Sequence, residues 1–288
     1  MLRVVALAAL WLSACAHQQN LSEQEAAFFQ DDRANPYSFN RAVAQTLLRT
    51  NQPLEASRVI HRLLEMKPES VEAHCMLGRA YLDMKQFDLA ERALKTALRF
   101  DPKCAEAHAL LGVLLDTLGR HGEAQLRHRL SIREAPKNPS FRNNLGFSLY
   151  LEGSYERAIF AYKAALARDM ADHRVHNNLA FAYAKLGRID KAQEHFKLAG
   201  PPAQVSNNLG FVYEDMGDDQ HAYEYYHLAV RQNPLLVPAR ANLDRVCQRM
   251  GVPVPEVDLP KTFANEPLPP AEAAVSQAKV PDTSEGAP

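Results

Sequence analysis

Charge of one sign is missing from this 288-residue chain. Its 33 Lys and Arg stand against 34 Asp and Glu, a formal net charge of −1. Nucleic-acid binding draws on a basic field, and none is present. Long apolar runs are missing after the first dozen residues, and a helix needs ~20 apolar residues to cross a ~30 Å hydrocarbon core. Cysteine is scarce: Cys15, Cys75, Cys104 and Cys247 are the four. Without Cys15 the count is odd, which in an oxidising compartment leaves one thiol unpaired or invites an intermolecular bridge. Packed helices lie ~8–10 Å apart whereas a disulfide wants Cα atoms within ~7 Å. Buried thiols acting as small hydrophobes therefore fit better than a Cys75–Cys104 bridge, which stays open. Chemical motifs are missing too: no Gly-rich phosphate loop, no Gly-x-Ser-x-Gly elbow, no zincin pattern. His173 and His176 share a helix face, but no Cys or acidic cluster completes a metal set. No enzyme activity, metal or cofactor is expected.

What is present starts at the N-terminus. Met1-Leu2-Arg3 carries a positive charge, Val4 to Leu12 is unbroken apolar sequence, and Leu12-Ser13-Ala14-Cys15 follows. Such a run is too short to span a bilayer and reads as a secretory signal over 1–14. Leu-Ser-Ala-Cys resembles the bacterial lipobox. That resemblance implies cleavage before Cys15, diacylation of its thiol, and, with Ala16 rather than Asp next, sorting to the periplasmic face of the outer membrane. Two or more acyl chains anchor stably where one does not. The alternative is an ordinary signal peptide with an incidental cysteine. Residues 15–36 form the lipidated N-terminus and a polar linker. Within them Ser22 and Glu25 suit a capping box for a short helix over 24–30, and Phe28-Phe29 suits a cover for the first repeat.

The body of the chain repeats. Leu77-Gly78, Leu111-Gly112, Leu145-Gly146 and Leu179-Ala180 recur every 34 residues, and Leu209-Gly210 follows 30 later. An alanine sits twelve positions beyond each small residue: Ala90, Ala124, Ala158, Ala192 and Ala222. A period in this range marks stacked units that cannot bury a core alone. Each unit reads as two amphipathic helices, as in Met76, Leu77, Ala80 and Tyr81, then Phe87, Ala90, Leu94, Ala97 and Leu98. Gly78 and Ala90 are candidates for close helix–helix contact. Gly119, Gly153, Gly187, Gly217 and Asn51 suit a positive-φ turn between the helices, with Lys85 the exception. Pro68, Pro102, Pro136 and Pro234 mark the ends of second helices. The array comprises six units, 37–70, 71–104, 105–138, 139–172, 173–202 and 203–236. The fifth is short and ends in Gly200-Pro201-Pro202, where a change of curvature is expected. Residues 237–250 form a capping helix. Residues 251–288 hold eight prolines and no helical period, and are expected to be disordered.

These spacings resemble the tetratricopeptide repeat, with small residues at the eighth and twentieth places, an aromatic near the eleventh (Tyr81, Tyr183, Tyr213) and proline near the thirty-second. The resemblance covers about 200 residues, by the repeat logic. It implies an all-α, right-handed solenoid that holds peptides or partner helices on a concave face. His74, His108 and His176 fall at one place of the repeat, where packing explains them.

One pentapeptide recurs inside the array: Asn143-Asn144-Leu145-Gly146-Phe147, Asn177-Asn178-Leu179-Ala180-Phe181 and Asn207-Asn208-Leu209-Gly210-Phe211. In tetratricopeptide arrays these places line the inner wall. Stacked, they would set an amide ladder beside an aromatic ladder. A carboxamide donates and accepts together, so it can hold a peptide backbone without reading its side chains, while phenylalanines take apolar side chains. The alternative is that one asparagine of each pair bonds within the stack and each phenylalanine packs between units. The corresponding places of the first three units hold Arg41 and Gln45, Cys75 and Arg79, and Ala109 and Val113. A generic N-terminal half and a specialised C-terminal groove are therefore expected. The lysine and arginine of the chaperone-type carboxylate clamp are absent from the asparagine units, so a C-terminal carboxylate is not the expected ligand.

Lipobox, repeats and pentapeptide together resemble the tight-adherence (Flp) pilus assembly lipoproteins of the TadD type. The implied partners are proteins, among them a secretin or pilus assembly component, with membrane attachment through the lipid and no nucleic acid. The open alternatives are a pilotin for a type IV pilus secretin, an adaptor for a periplasmic protease or cell-wall synthase, and a peptidoglycan-binding accessory protein.

Overall fold

The computed structural model describes residues 36–255. Cys15, the signal over 1–14, the Ser22–Glu25 box, Phe28-Phe29 and the tail from 256 onward lie outside the described residues. Within them are thirteen α-helices and no strand. They divide into two compact units, one up to Pro102 and one from Lys103.

The first unit holds α1 (Pro36–Arg49), α2 (Pro53–Met66), α3 (Val71–Asp83) and α4 (Phe87–Phe100). The second holds α5 (Ala105–Thr117), α6 (His121–Glu134), α7 (Pro139–Leu151), α8 (Tyr155–Leu166), α9 (His173–Lys185), α10 (Ile189–Ala199), α11 (Pro202–Asp215), α12 (Asp219–Gln232) and α13 (Val237–Met250). Odd-numbered helices open a repeat and even-numbered helices close it. α13 stands alone at the end, burying Ala239, Leu243, Val246 and Cys247 against Tyr226 and Val230 of α12.

Short-range chemistry starts and stops each helix. Four first helices, α3, α5, α7 and α9, begin at a capping side chain that itself recurs every 34 residues. Ser70 Oγ accepts from Ala73 N at 3.2 Å, Asn138 Oδ1 from Ser140 N at 3.0 Å, and Asp172 Oδ1 from Arg174 N at 2.9 Å. Cys104 holds the same place with Sγ 3.5 Å from Ala107 N, a thiol standing where a better acceptor would serve. Four second helices, α2, α4, α6 and α12, end because proline forces its predecessor out of the helical region. Lys67, Asp101, Ala135 and Asn233 are extended, with φ of −143, −136, −132 and −147°, and each precedes a proline.

Packing then closes each pair. A Cβ placed on Gly78 would lie 2.5 Å from the Leu94 side chain; on Gly146 it would lie 2.6 Å from the Tyr162 ring, and on Gly210 2.6 Å from Tyr226. Gly112 faces the His128 ring in the same way. The partner of the small residue is thus a large side chain sixteen positions on, and Ala90 is buried without being that partner. In the fifth repeat the two places hold Ala180 and Phe196, both fully buried in one cluster. No disulfide joins Cys75, Cys104 or Cys247, and Cys75 and Cys247 are buried thiols.

All six turns between paired helices use a left-handed residue. Gly119, Gly153, Gly187 and Gly217 supply four, Asn51 takes φ 57°, and Lys85, the sequence exception, takes φ 58°. The conformation is therefore imposed by the hairpin, not chosen by the residue. A left-handed L-residue costs about 1–2 kcal/mol, and glycine gives back about 0.5–1 in chain entropy. Lys85 is exposed. Lys85→Gly is accordingly expected to raise stability by roughly 0.5–1 kcal/mol in urea unfolding, and Asn51→Gly by less, since asparagine tolerates this region. A loss of stability in Lys85→Gly would contradict the account.

Candidate functional site

The three pentapeptides fall on first helices of the second unit: α7 carries Asn143, Asn144 and Phe147; α9 carries Asn177, Asn178 and Phe181; α11 carries Asn207, Asn208 and Phe211. The helices meet through the asparagines. Asn178 Nδ2 donates to Asn143 Oδ1 at 3.0 Å, and Asn208 Nδ2 donates to Asn177 Oδ1 at 2.8 Å. The series continues into the cap, where Asn242 Nδ2 donates to Asn207 Oδ1 at 3.0 Å. The second asparagine of each repeat thus donates to the first asparagine of the repeat before it. Asn242 escaped the sequence reading, although Ala241-Asn242-Leu243 repeats the register of Asn207-Asn208-Leu209 with one amide gone.

Each bond uses half an amide. Asn177 Nδ2 and Asn178 Oδ1 have no partner among the described residues, and both side chains are only partly buried. Asn207 Nδ2 reaches Asn208 Oδ1 only at 3.5 Å. Stitching is thus the role all three rungs share, while a free and partly exposed donor and acceptor remain on α9 alone; Asn143 is only 3% exposed, and on α11 the remaining halves face each other. Beside them the phenylalanines are partly exposed. Phe181 meets Phe196 and Phe211 edge-on, with centroids 4.9 and 5.9 Å apart, and Phe211 is 46% exposed.

Asn144 differs from its counterparts. It is 2% exposed, and neither Nδ2 nor Oδ1 has a hydrogen-bond partner. The cause is in the preceding repeat. There the acceptor's place is taken by Ala109 and the ladder has no rung to receive Asn144. A buried unsatisfied amide costs about 1–3 kcal/mol.

Two acidic residues at the twelfth place of a repeat form a second set of bolts. Asp116, buried on α5, accepts from Ser148 Oγ at 2.7 Å and lies 3.0 Å from Nε2 of the fully buried His128 and 2.9 Å from Nδ1 of His121. Ser148 donates to the carboxylate directly rather than to an imidazole, so the serine–histidine–acid order of a nucleophile triad is not met. Glu214 on α11 accepts from Tyr226 Oη at 2.6 Å and from Arg245 and Arg249 of α13 at 2.7–2.9 Å. Burial raises the Glu214 pKa, but the hydrogen bonds from Arg245, Tyr226 and Arg249 outweigh it and bring it down to about 2.

Histidines at the fourth place of a repeat serve the loops. His74 Nε2 lies 2.9 Å from the Pro68 carbonyl and His176 Nε2 3.0 Å from that of Met170, while Arg142 Nη1 donates to the Pro136 carbonyl at 2.6 Å. Among the described residues no three His, Cys, Asp or Glu gather as a metal set, and no helix is long and apolar enough to cross a membrane.

Models of the tetratricopeptide repeat match residues 47–114, 149–209 and 203–234, more than half of the chain between them. The chain belongs to the tetratricopeptide-repeat proteins, a class of helical scaffold for protein–protein contact. Many solved structures share its fold, these three among them. PilW, described as a widely conserved type IV pilus biogenesis factor, is 21% identical with a TM-score of 0.62, covering 74% of this chain and 98% of that one. PilF of Pseudomonas aeruginosa is 18% identical, with a TM-score of 0.58 and coverage of 75% and 99%. The Cut9–Hcn1 hetero-tetramer of the APC/C is 16% identical with a TM-score of 0.60; 73% of this chain matches, spanning only 42% of that one. At such identities the likeness concerns fold alone. No curated protein matches the sequence.

Two predictions follow from the bolts. Asn144→Leu restores the residue type of Leu110 one repeat earlier, and is expected to leave stability unchanged or raise it. Asn178→Leu strands the Asn143 acceptor and is expected to cost about 1–3 kcal/mol in urea unfolding. The reverse order would refute the ladder. Glu214, depressed below its ordinary 4.5, stabilises the α11–α13 junction above that pH and loses the contribution as pH falls toward about 2. Amide-exchange protection of α13 should therefore drop across this window in the native chain. In Glu214→Gln it should already be lower at neutral pH and change less across the window; equal profiles would exclude the bolt.

Proposed function

We propose that this chain is a periplasmic scaffold, tethered to the outer membrane through acylated Cys15, that binds an extended segment of a protein partner during assembly of a pilus or secretion machine. The observation that carries the binding part is the pair of half-bonded amides on α9, in a row flanked by Phe147, Phe181 and Phe211. The partly exposed Asn177 Nδ2 and Asn178 Oδ1 offer one donor and one acceptor side by side, which matches a peptide backbone. The partly exposed rings accept its apolar side chains. Asn143, Asn177 and Asn207 keep the row in register through their acceptors, while Asn178 and Asn208 donate to hold it. Asn144 is too buried to contribute. Support for the tether is the Leu-Ser-Ala-Cys sequence behind a short apolar run. Support for the assembly role is the combination of that anchor with the asparagine repeats, as in the tight-adherence (TadD-type) lipoproteins, and a fold shared with a type IV pilus biogenesis factor over nearly the whole of that chain. The pilotin reading of a secretin-bound lipoprotein has the same support from that neighbour.

The test places a photoreactive amino acid at Phe211 in intact cells and identifies the crosslinked protein, alongside mass spectrometry of the N-terminal peptide. A secretin or pilus component is expected at Phe211. Phe147→Ala with Phe181→Ala should reduce its capture at least about tenfold, the scale of loss for central aromatic anchors. An unmodified thiol at Cys15 would remove the tether. Capture of a cell-wall synthase, a protease or peptidoglycan in its place would redirect the function.

A further inference from the structure

A second surface lies on the other side of α7. Residues advance ~100° each around a helix, which sets Arg142, Leu145 and Leu149 roughly opposite Asn143 and Phe147. Leu145 and Leu149 form the floor of a groove of about 410 Å³ walled by α6 and α8. Ile132 of α6 extends the apolar lining, and Arg129, Arg142 and Arg157 stand around it against the single carboxylate of Glu156. This is a local excess of positive charge on a chain whose net charge is −1. Burial, and then the neighbouring Arg168 guanidinium, hold the Arg142 pKa below its ordinary value. The Arg157 side chain is 57% exposed and its contact with Glu152 is a loose 3.6 Å.

Phe160 projects from α8 at the edge of this groove, 77% exposed. At the same place the other repeats carry Arg58, Arg92, Leu126, Glu194 and Glu224. Four of those five are charged, as an outer helix face demands, and none is aromatic. An exposed phenylalanine beside an apolar floor and a cationic rim lacks a role in the repeat's own packing.

We propose that this groove docks an acidic peptide segment of a partner protein, one carrying a bulky apolar side chain between carboxylates. The apolar side chain lies on Leu145 and Leu149 under Phe160, and the carboxylates meet the guanidinium groups of Arg129, Arg142 and Arg157, whose planar forks suit bidentate pairing. The volume suits one or two side chains, not a folded surface. This assignment shares with the function above only the premise that the ligands are polypeptides. It uses no residue of the asparagine row, so the array would engage partners on two opposite faces.

The test titrates full-length protein against dye-labelled Glu-Asp-Phe-Leu-Asp-Glu and Lys-Lys-Phe-Leu-Lys-Lys, read by fluorescence anisotropy. The acidic peptide is expected to bind at least about tenfold more tightly, and Phe160→Ser and Arg157→Glu each to weaken it about tenfold or more. Both side chains are exposed, so the unfolding midpoint should not move. Phe211→Ala should leave this binding unchanged and lower capture only at the asparagine row, which separates failure of one site from failure of the other. Absence of binding, equal binding of the lysine peptide, or undiminished binding by Phe160→Ser would overturn the proposal. So would phosphatidylglycerol vesicles that bind through Arg157 and displace the acidic peptide, since they would assign the groove to lipid headgroups.

Discussion

Everything in this architecture depends on how closely a first helix meets its second. The missing Cβ at Gly78, Gly112, Gly146 and Gly210 lets a large side chain from sixteen residues on lie against the backbone itself. That side chain is Leu94, His128, Tyr162 or Tyr226 in turn. Interiors are close-packed, so a methyl added at one of these glycines forces the facing side chain or the helix to shift; the fifth repeat carries that methyl in Ala180 and meets it with Phe196. The contact also sets the next level of order. Two of these side chains, His128 and Tyr226, have a polar tip that reaches an acid at the twelfth place of the repeat; in the repeat of Tyr162 that place holds Tyr150. Asp116 and Glu214 then extend the same bond to the following repeat, through Ser148 in one case and through Arg245 and Arg249 in the other. Hairpin packing and hairpin stacking are therefore one mechanism at these two junctions.

The two units join their repeats with different chemistry. In the first, Arg41 and Gln45 reach Glu72 at 3.5 and 3.1 Å on an exposed surface, contacts of the kind that contribute little, and the Tyr37 and Ser70 hydroxyls meet at 2.6 Å in a partly buried place. In the second, carboxamides bond across partly buried junctions, where hydrogen bonds contribute more and misregister costs more. The asparagine ladder has two ends. Asn242 closes it at the cap, and Asn144 opens it without a partner because Ala109 precedes it. The row is thus bonded through to the cap, and the free amide halves of Asn177 and Asn178 are held in place without any contribution from a ligand.

Much of the helical plan was legible along the chain. Period, turn residues and pre-proline stops are local signals, and most helices begin and end where a residue's own backbone preference allows. Some signals were present but went unread. Ser70, Cys104, Asn138 and Asp172 recur at the repeat spacing as caps, and they are inconspicuous because four different side chains do one job. Lys85 misled in the opposite sense: a residue with no taste for positive φ takes it because the closed hairpin leaves no other path.

The sequence by itself determined that the chain is a stack of paired helices and which residues face each other's row, since periodicity is a property of the chain alone. It could not say which half of each amide points inward, that Glu214 would carry two arginines, or that Arg142, Leu145, Arg157 and Phe160 would surround one groove. Those depend on distances between helices far apart in sequence. A hydrogen bond is made or missed within a few tenths of an ångström, a tolerance that spacing along a chain does not specify. Only the packed helices decided it.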